Sequence, residues 1–427
     1  MSEERLQQFK QAYGNLELVP LLTQKEISQF KVDYAEKILD ELVQLVEDSP
    51  NSDGKIVFTG HRGCGKSTLL AEFGRKIEDK YFVVFFSIAE TIEMSDINHI
   101  NILFSIAVNL MLQAEARRVD IPKSTKDALE KWFAKRTKTE ETSIQSETAI
   151  EKNLFKLVST KLKVDSKIRY ELKQEFERKV SELVAQINII AAAIQSACQK
   201  EILVIIDDLD KLDLGVVNHI FRDNIKALCL PGFRIIYTIP ISALRETALK
   251  TTIEAETNDQ IVPMPVLKLF NKGDSRDANI QPRAETFDVL CEILEKRISS
   301  ELIAKETIKL IVINSGGVLR ELVRIANECC RICLRLIRRK PDEKVMIDNN
   351  ILDEAINNIR NDFALPLGKS EYQILQATYQ NFKPEDPKQQ EFLDLLHGLY
   401  VLEYRNRQNW YDLHPIVVEL LRDEGLI

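Results

Sequence analysis

The sequence predicts an α/β protein, with a parallel sheet covered by helices on both faces, then a smaller α-helical domain and a C-terminal winged helix. Three observations carry this. Four short runs are apolar without polar alternation: KIVFTG at 55–60, YFVVFFSI at 81–88, ILVIID at 202–207 and FRIIYTI at 233–239. That is the pattern of strands buried on both faces. Glycine is absent between Gly74 and Gly215, and Pro122 is the sole proline from 75 to 230, so the intervening chain should be long helices. From about residue 285 the apolar period becomes helical, and after Pro366 it changes again.

Taken in order, residues 1–45 read as an N-terminal helical lead-in and 46–270 as the sheet domain, with a helical insertion at about 114–200. Within the insertion Ile168, Leu172, Phe176, Val180, Leu183, Ile187, Ile190, Ile194 and Cys198 recur every three or four positions, which predicts one long amphipathic helix. The polar linker NKGDSRDANIQPRAE at 271–285 closes the sheet domain. Helical patterns at about 285–299, 305–313, 317–340 and 350–361 make a domain spanning 284–365. Residues 366–427 then read as helix, helix, strand, turn, strand and helix, the order of a winged helix.

Composition narrows the function. The 58 Lys and Arg face 66 Asp and Glu, a net charge of −8, so no global basic field draws the chain to nucleic acid or anionic lipid. The polar N-terminus lacks a secretory pattern. The most apolar segment, 183–206, is interrupted by Gln186, Asn188, Gln195, Gln199, Lys200 and Glu201, which predicts no membrane span. Seven cysteines at irregular spacing suit a reducing cytoplasm. Cys330 and Cys333 form a C-x-x-C inside a strongly helical run with no second ligand pair, so they read as helix core.

The chemistry concentrates after the first strand. Gly60-His61-Arg62-Gly63-Cys64-Gly65-Lys66-Ser67-Thr68 fits G-x-x-x-x-G-K-[ST] between a strand and a helix. Gly60, Gly63 and Gly65 let backbone N–H groups, including that of Cys64, turn toward phosphate oxygens, and the helix that follows adds its positive end. Lys66 should reach the β and γ phosphates of ATP, Ser67 should ligate Mg²⁺, and Thr68 completes the cradle. Asp207 and Asp208 directly follow five apolar residues. Asp207 is placed to hold Mg²⁺ and Asp208 to orient or deprotonate the attacking water. Asp210 and Asp213 read as helix caps.

With both motifs placed, the chain resembles the AAA+ and STAND branch of P-loop ATPases over roughly 30–110 and 200–427. The resemblance implies a helical lid before the winged helix. It also implies that Arg320, in Gly317-Val318-Leu319-Arg320-Glu321-Leu322, is the sensor 2 arginine reaching the γ-phosphate. Thr238 is the candidate sensor 1, in Thr238-Ile239-Pro240 where NB-ARC proteins often carry Thr-Thr-Arg. Arg222 and Arg234 sit where the resemblance places a trans-acting arginine finger, and His414, in Tyr411-Asp412-Leu413-His414-Pro415, resembles the histidine that holds ADP in resting STAND proteins.

Charge then separates DNA readers from protein switches. From 366 onward six Lys or Arg face ten Asp or Glu, poor equipment for a phosphate-lined groove, with only Arg405 and Arg407 of the wing in favour. The lid helix is more basic, with Arg320, Arg324, Arg331, Arg335, Arg338, Arg339 and Lys340 against Glu321 and Glu328, and KWFAKRTK at 131–138 is a second basic run with two aromatics. The expectation is a cytoplasmic ATP-binding and hydrolysing switch that forms a homo-oligomer in the ATP state and engages a separate effector or sensor protein, with bacterial antiviral defence as the setting suggested by fold-level analogy. DNA is not favoured. The alternatives are a DNA-associated ATPase resembling replication initiators or transposition regulators, and a nucleotide-gated scaffold with scarcely any turnover.

Overall fold

The computed structural model describes residues 2–49, 52–138, 154–277, 279–340, 343–405 and 409–427. The chain divides into two compact units that are not linear segments. One comprises Lys37–Thr59 and Leu70–Pro263; the other comprises Met1–Glu36, Gly60–Leu69 and Met264–Ile427.

The first unit is built on a five-stranded sheet of β1 (Lys55–Gly60), β2 (Tyr81–Ser87), β3 (Glu201–Asp207), β4 (Arg234–Pro240) and β5 (Ile261–Met264), ordered β2-β3-β4-β1-β5. β2 pairs with β3, and β3 with β4, in parallel. The first four strands fall where the apolar runs predict them, and their inner residues are buried on both faces. β5 was not foreseen. It has four residues, alternates in burial and contains Pro263, which a sheet edge tolerates because one side of an edge strand needs no ladder donor.

The insertion forms helices Lys123–Thr137, Leu154–Val164, Ser166–Phe176 and Val180–Cys198, all within this unit. The expected single helix from 168 to 198 is therefore two. Lys179 leaves the helical region at φ −136° and ψ 36°, and the break has no Gly or Pro to announce it. The apolar period survives the break because both pieces pack against helix His99–Ala116. Ile168, Leu172 and Phe176 are buried from one piece, and Leu183, Ile187, Ile190 and Ile194 from the other. Among the described residues, Val180–Cys198 is the one helix long and apolar enough to cross a membrane by length and composition.

The aromatics of the KWFAKRTK run belong to this core. Trp132 stacks on Phe104 at 5.6 Å, and Phe133 meets Phe104 and Phe155 edge-on. Arg136 lies 4.4 Å over the Trp132 ring and pairs with Glu175 at 3.1 Å. These rings are therefore not available to stack on bases.

In the second unit the N-terminal helix Ser2–Asn15 packs along the lid helix Leu319–Arg339, burying Phe9, Ala12 and Leu16. Helices Ala284–Glu295, Lys305–Asn314 and Asn349–Ala364 complete the helical part. The winged helix follows as helices Lys369–Asn381 and Gln390–His397, the antiparallel hairpin β6 (Val401–Arg405) and β7 (Asn409–Leu413), and helix Pro415–Asp423. Cys329, Cys330 and Cys333 lie buried on the inner face of the lid helix, where burial pushes each thiol up. That places the C-x-x-C in packing.

Candidate functional site

In the second unit the phosphate loop is held by three separate stretches of chain. Gly63 and Gly65 adopt φ +76° and +97°, conformations that glycine enters without penalty. Each also sits under another segment: a Cβ at Gly63 would lie 2.3 Å from the Arg320 Cβ, and one at Gly65 would lie 2.0 Å from the Tyr34 hydroxyl. These two glycines therefore serve close approach as well as backbone turning.

The lid contact follows from helix physics. The first N–H groups of a helix lack intrahelical acceptors, and Arg320 stands in the first turn of Leu319–Arg339. Its backbone N–H donates to the Gly63 carbonyl at 2.9 Å. The positive end of the lid helix is thus docked on the loop. The N-terminal segment adds two bonds: Leu21 N–H donates to the Thr68 Oγ1 at 3.0 Å, and the Tyr34 hydroxyl reaches the Cys64 carbonyl at 3.5 Å. Sequence reasoning treated residues 1–45 as a lead-in and missed both.

Lys66 is buried, with its ammonium donating to the carbonyls of Gly60 at 3.0 Å and His61 at 2.8 Å. The wing supplies the third hold. Glu403 of β6 donates its backbone N–H to Nε2 of His61 at 2.8 Å, and both residues are buried. His61 occupies a free position of the motif, so only its residue type could have drawn attention to it.

The acidic motif belongs to the first unit. Asp207 ends β3, level with Ser87 of β2. Ligand atoms of Asp207, Asp208 and Asp210 lie within 4.8 Å of one another, a hard-oxygen donor set that fits Mg²⁺. Asp208 takes φ 70°, a left-handed conformation that Asp tolerates better than most residues. Its carboxylate accepts from the Ser87 hydroxyl at 2.6 Å and pairs with Lys211 at 2.7 Å, so both oxygens are oriented. Asp213 caps helix Leu214–Phe221 through Val216 N–H, whereas Asp210 is buried beside Asp208.

Thr238 is fully buried near the end of β4. Its hydroxyl donates to the Ile206 carbonyl at 3.2 Å and accepts from Leu209 N–H at 3.1 Å. Its one proton is thus directed at the backbone of β3.

The remaining arginines divide. Arg234 does not project: it is buried at the start of β4, opposite Leu203, paired with Glu201 and 5.5 Å over the Tyr81 ring. That is the end of the strands opposite Asp207, on the central strand of the sheet, which corrects its reading as an arginine finger. Arg222 is exposed and pairs with Asp223 and Glu246.

Along the lid helix Arg324 bonds Glu321 and Asp362, Arg331 bonds Glu328, and Arg335 pairs with Glu354. Much of the apparent basic track is locally neutralised. In the wing, Arg405 bonds Glu403, and Arg407 lies outside the described residues.

His414 is fully buried at the start of helix Pro415–Asp423. Its Nδ1 accepts Ile416 N–H at 3.3 Å, and its ring stacks on Phe363 at 5.3 Å. Burial first, with Arg324 nearby, lowers its pKa to about 3, so the ring is neutral. These contacts describe a helix cap inside the junction between lid and winged helix, a structural task that the resemblance did not suggest.

A strand, a glycine-rich G-x-x-x-x-G-K-[ST] loop and a helix, in a chain whose central sheet is parallel at β2-β3-β4, define a P-loop NTPase. The profile of the KAP family P-loop domain matches residues 35–258, more than half of the 427 residues, and the chain belongs to that family. No curated protein matches it. Similar solved structures include Cdc6p from Pyrobaculum aerophilum, at 11% identity over 93% of this chain and 98% of that one, TM-score 0.40. Two others are from Aeropyrum pernix: the ORC1 protein in complex with DNA, at 11% identity, 95% and 96% coverage and TM-score 0.40, and the ORC2 protein in ADPNP-ADP complexes, at 11% identity, 94% and 98% coverage and TM-score 0.42.

Proposed function

We propose that this KAP-family protein is an ATP-driven conformational switch, in which nucleotide state sets the disposition of lid and wing and thereby self-association or engagement of a partner protein. One observation carries the reading. The phosphate loop is bonded directly to the lid at Gly63 and to the wing at His61. A nucleotide that reorganises this loop acts on both segments without an intermediary, and a ligand shifts a two-state equilibrium only through such differential contacts.

The residue roles follow the motifs. Lys66 and the N–H groups of Gly60, Gly63, Cys64, Gly65, Ser67 and Thr68 bind the phosphates. Ser67 and Asp207 are the Mg²⁺ ligands that the two motifs imply, and the metal would neutralise charge on the β and γ phosphates. Asp208, held by Ser87 and Lys211, is oriented to accept a proton from water. Arg320 is the lid cation available to a γ-phosphate, and Thr238 supports the acidic turn. For the trans-acting finger Arg222 remains the candidate.

DNA association is not favoured, because Arg324, Arg331, Arg335 and Arg405 are each paired with carboxylates. A cytoplasmic homo-oligomer acting with a separate effector, in antiviral defence, is the setting proposed by analogy. The test is ATP turnover with and without duplex DNA, alongside mass measurement in ADP and in a nonhydrolysable ATP analogue. Nucleotide-dependent mass with DNA-independent turnover supports the switch, and turnover stimulated by DNA with steep salt dependence overturns it.

A further inference from the structure

The wing bond to His61 has a chemical sequel on the other side of the same residue. The His61 carbonyl accepts the Lys66 ammonium at 2.8 Å, while its ring Nε2 accepts the Glu403 backbone N–H at 2.8 Å. A neutral imidazole accepts at only one nitrogen, so Nε2 carries no proton and the tautomer is the Nδ1–H form. We infer that His61 is the positioning residue through which occupancy of the phosphate loop is transmitted to the wing, an inference that rests on the nucleotide reading above.

The physical course is an exchange of partners. A phosphate that draws the Lys66 ammonium takes it from the His61 carbonyl, because an ammonium prefers a formal anion to a neutral carbonyl. The His61 peptide then loses the charge-assisted bond that orients it. The ring, fixed to that peptide through one Cβ, carries the shift to the N–H of Glu403. Among the described residues β6 is a short strand paired with β7 alone, so one ladder besides the His61 bond holds its backbone.

His61 does this where a less versatile residue would not. A Leu or Met at this position would fill the same buried space and leave the Glu403 N–H without its acceptor. Glu403 is itself held, its carboxylate accepting from Arg405 at 2.9 Å, so the arriving N–H comes from an ordered strand. Lid and wing therefore grip the loop two residues apart, at Gly63 and His61, and the wing grip alone runs through a side chain.

The experiment compares the full-length parent with His61→Gln, which keeps an acceptor at similar reach, and His61→Met, of the same length without one. Amide hydrogen exchange at Glu403 is measured with no nucleotide, with ADP and with a nonhydrolysable ATP analogue, and nucleotide affinity is measured in parallel by calorimetry. The expected result is exchange about tenfold faster at Glu403 in the Met variant without nucleotide. In the parent and the Gln variant a nucleotide-dependent change is expected at that amide, and in the Met variant none, although it still binds nucleotide. An unchanged nucleotide response in the Met variant overturns the inference. If the Met variant does not fold, the Gln variant decides: a parent-like response supports the relay and its loss refutes it. A parent that binds no nucleotide overturns the ATPase reading and the relay together, whereas a parent that binds nucleotide with a silent Glu403 amide overturns the relay alone.

Discussion

The backbone N–H of Leu209 is donated to the Thr238 hydroxyl 3.1 Å away, and the same hydroxyl donates to the Ile206 carbonyl. The turn carrying Asp207 and Asp208 is thus tied at both ends to β4. Thr238→Val keeps the shape and removes both bonds, leaving a buried N–H without an acceptor. The expected cost is about 1–3 kcal/mol, with a loss of ATP turnover larger than the loss of ATP affinity. Thr238→Ser keeps the hydroxyl and should retain most of both. Denaturant melts and steady-state turnover for the pair check this, and a Val variant matching the parent would remove Thr238 from the site.

Lys66 and Asp208 should fail differently. Lys66→Ala removes the buried loop cation and should weaken ATP binding by about 3 kcal/mol, roughly a hundredfold. Asp208→Asn keeps an oxygen for the Ser87 hydroxyl, so the turn survives, but it removes the base and the Lys211 ion pair. Binding should persist while turnover falls by about a hundredfold. Calorimetric titration and turnover of both variants decide this, and unchanged ATP affinity in Lys66→Ala would overturn the phosphate-site assignment.

The insertion stripe gives a test with an internal control. Ile187 and Ile190 are fully buried against helix His99–Ala116, whereas Ile189 on the same helix is 51% exposed. Asp at 187 or 190 buries a carboxylate among apolar side chains and should destabilise by more than about 3 kcal/mol, or prevent folding. Ile189→Asp should change stability by only about 0.5 kcal/mol. Equal melting of all three variants would contradict this packing.

The legible parts of the molecule were those with local signals. β1 to β4 announce themselves because strands buried on both faces need uninterrupted apolar runs, and the loop motif is legible because phosphate binding demands glycines at set spacing. Partners distant in sequence were not legible. Nothing about Thr238 points to Leu209, nothing about Arg234 points to Glu201, and His61 and Glu403 are 342 positions apart. The split at residues 177–179 was hidden for another reason: burial against one helix preserves the apolar period across a break that contains only charged residues.

His414 carries the pH prediction. Burial lowers its pKa to about 3 in the folded protein, against an ordinary value of 6.5, and burial likewise lowers that of His99 to about 4. Above pH 6.5 both histidines are neutral, folded or unfolded, and contribute no pH dependence. Below 6.5 the unfolded chain takes up protons that the folded chain refuses, so stability falls as pH falls from 6.5 toward 3. Each such histidine adds a slope of up to about 1.4 kcal/mol per pH unit in that window. His414→Asn keeps a side-chain oxygen able to cap Ile416 N–H and cannot titrate. It should lose the stacking on Phe363, lowering stability at pH 7.5 by about 1 kcal/mol. It should also reduce the slope between pH 6.5 and 4 by about one proton. Urea melts from pH 4 to 8 on parent and variant measure both quantities. Parallel curves would mean that the imidazole titrates alike in both states, and therefore that the ring is not sealed in the junction between lid and winged helix.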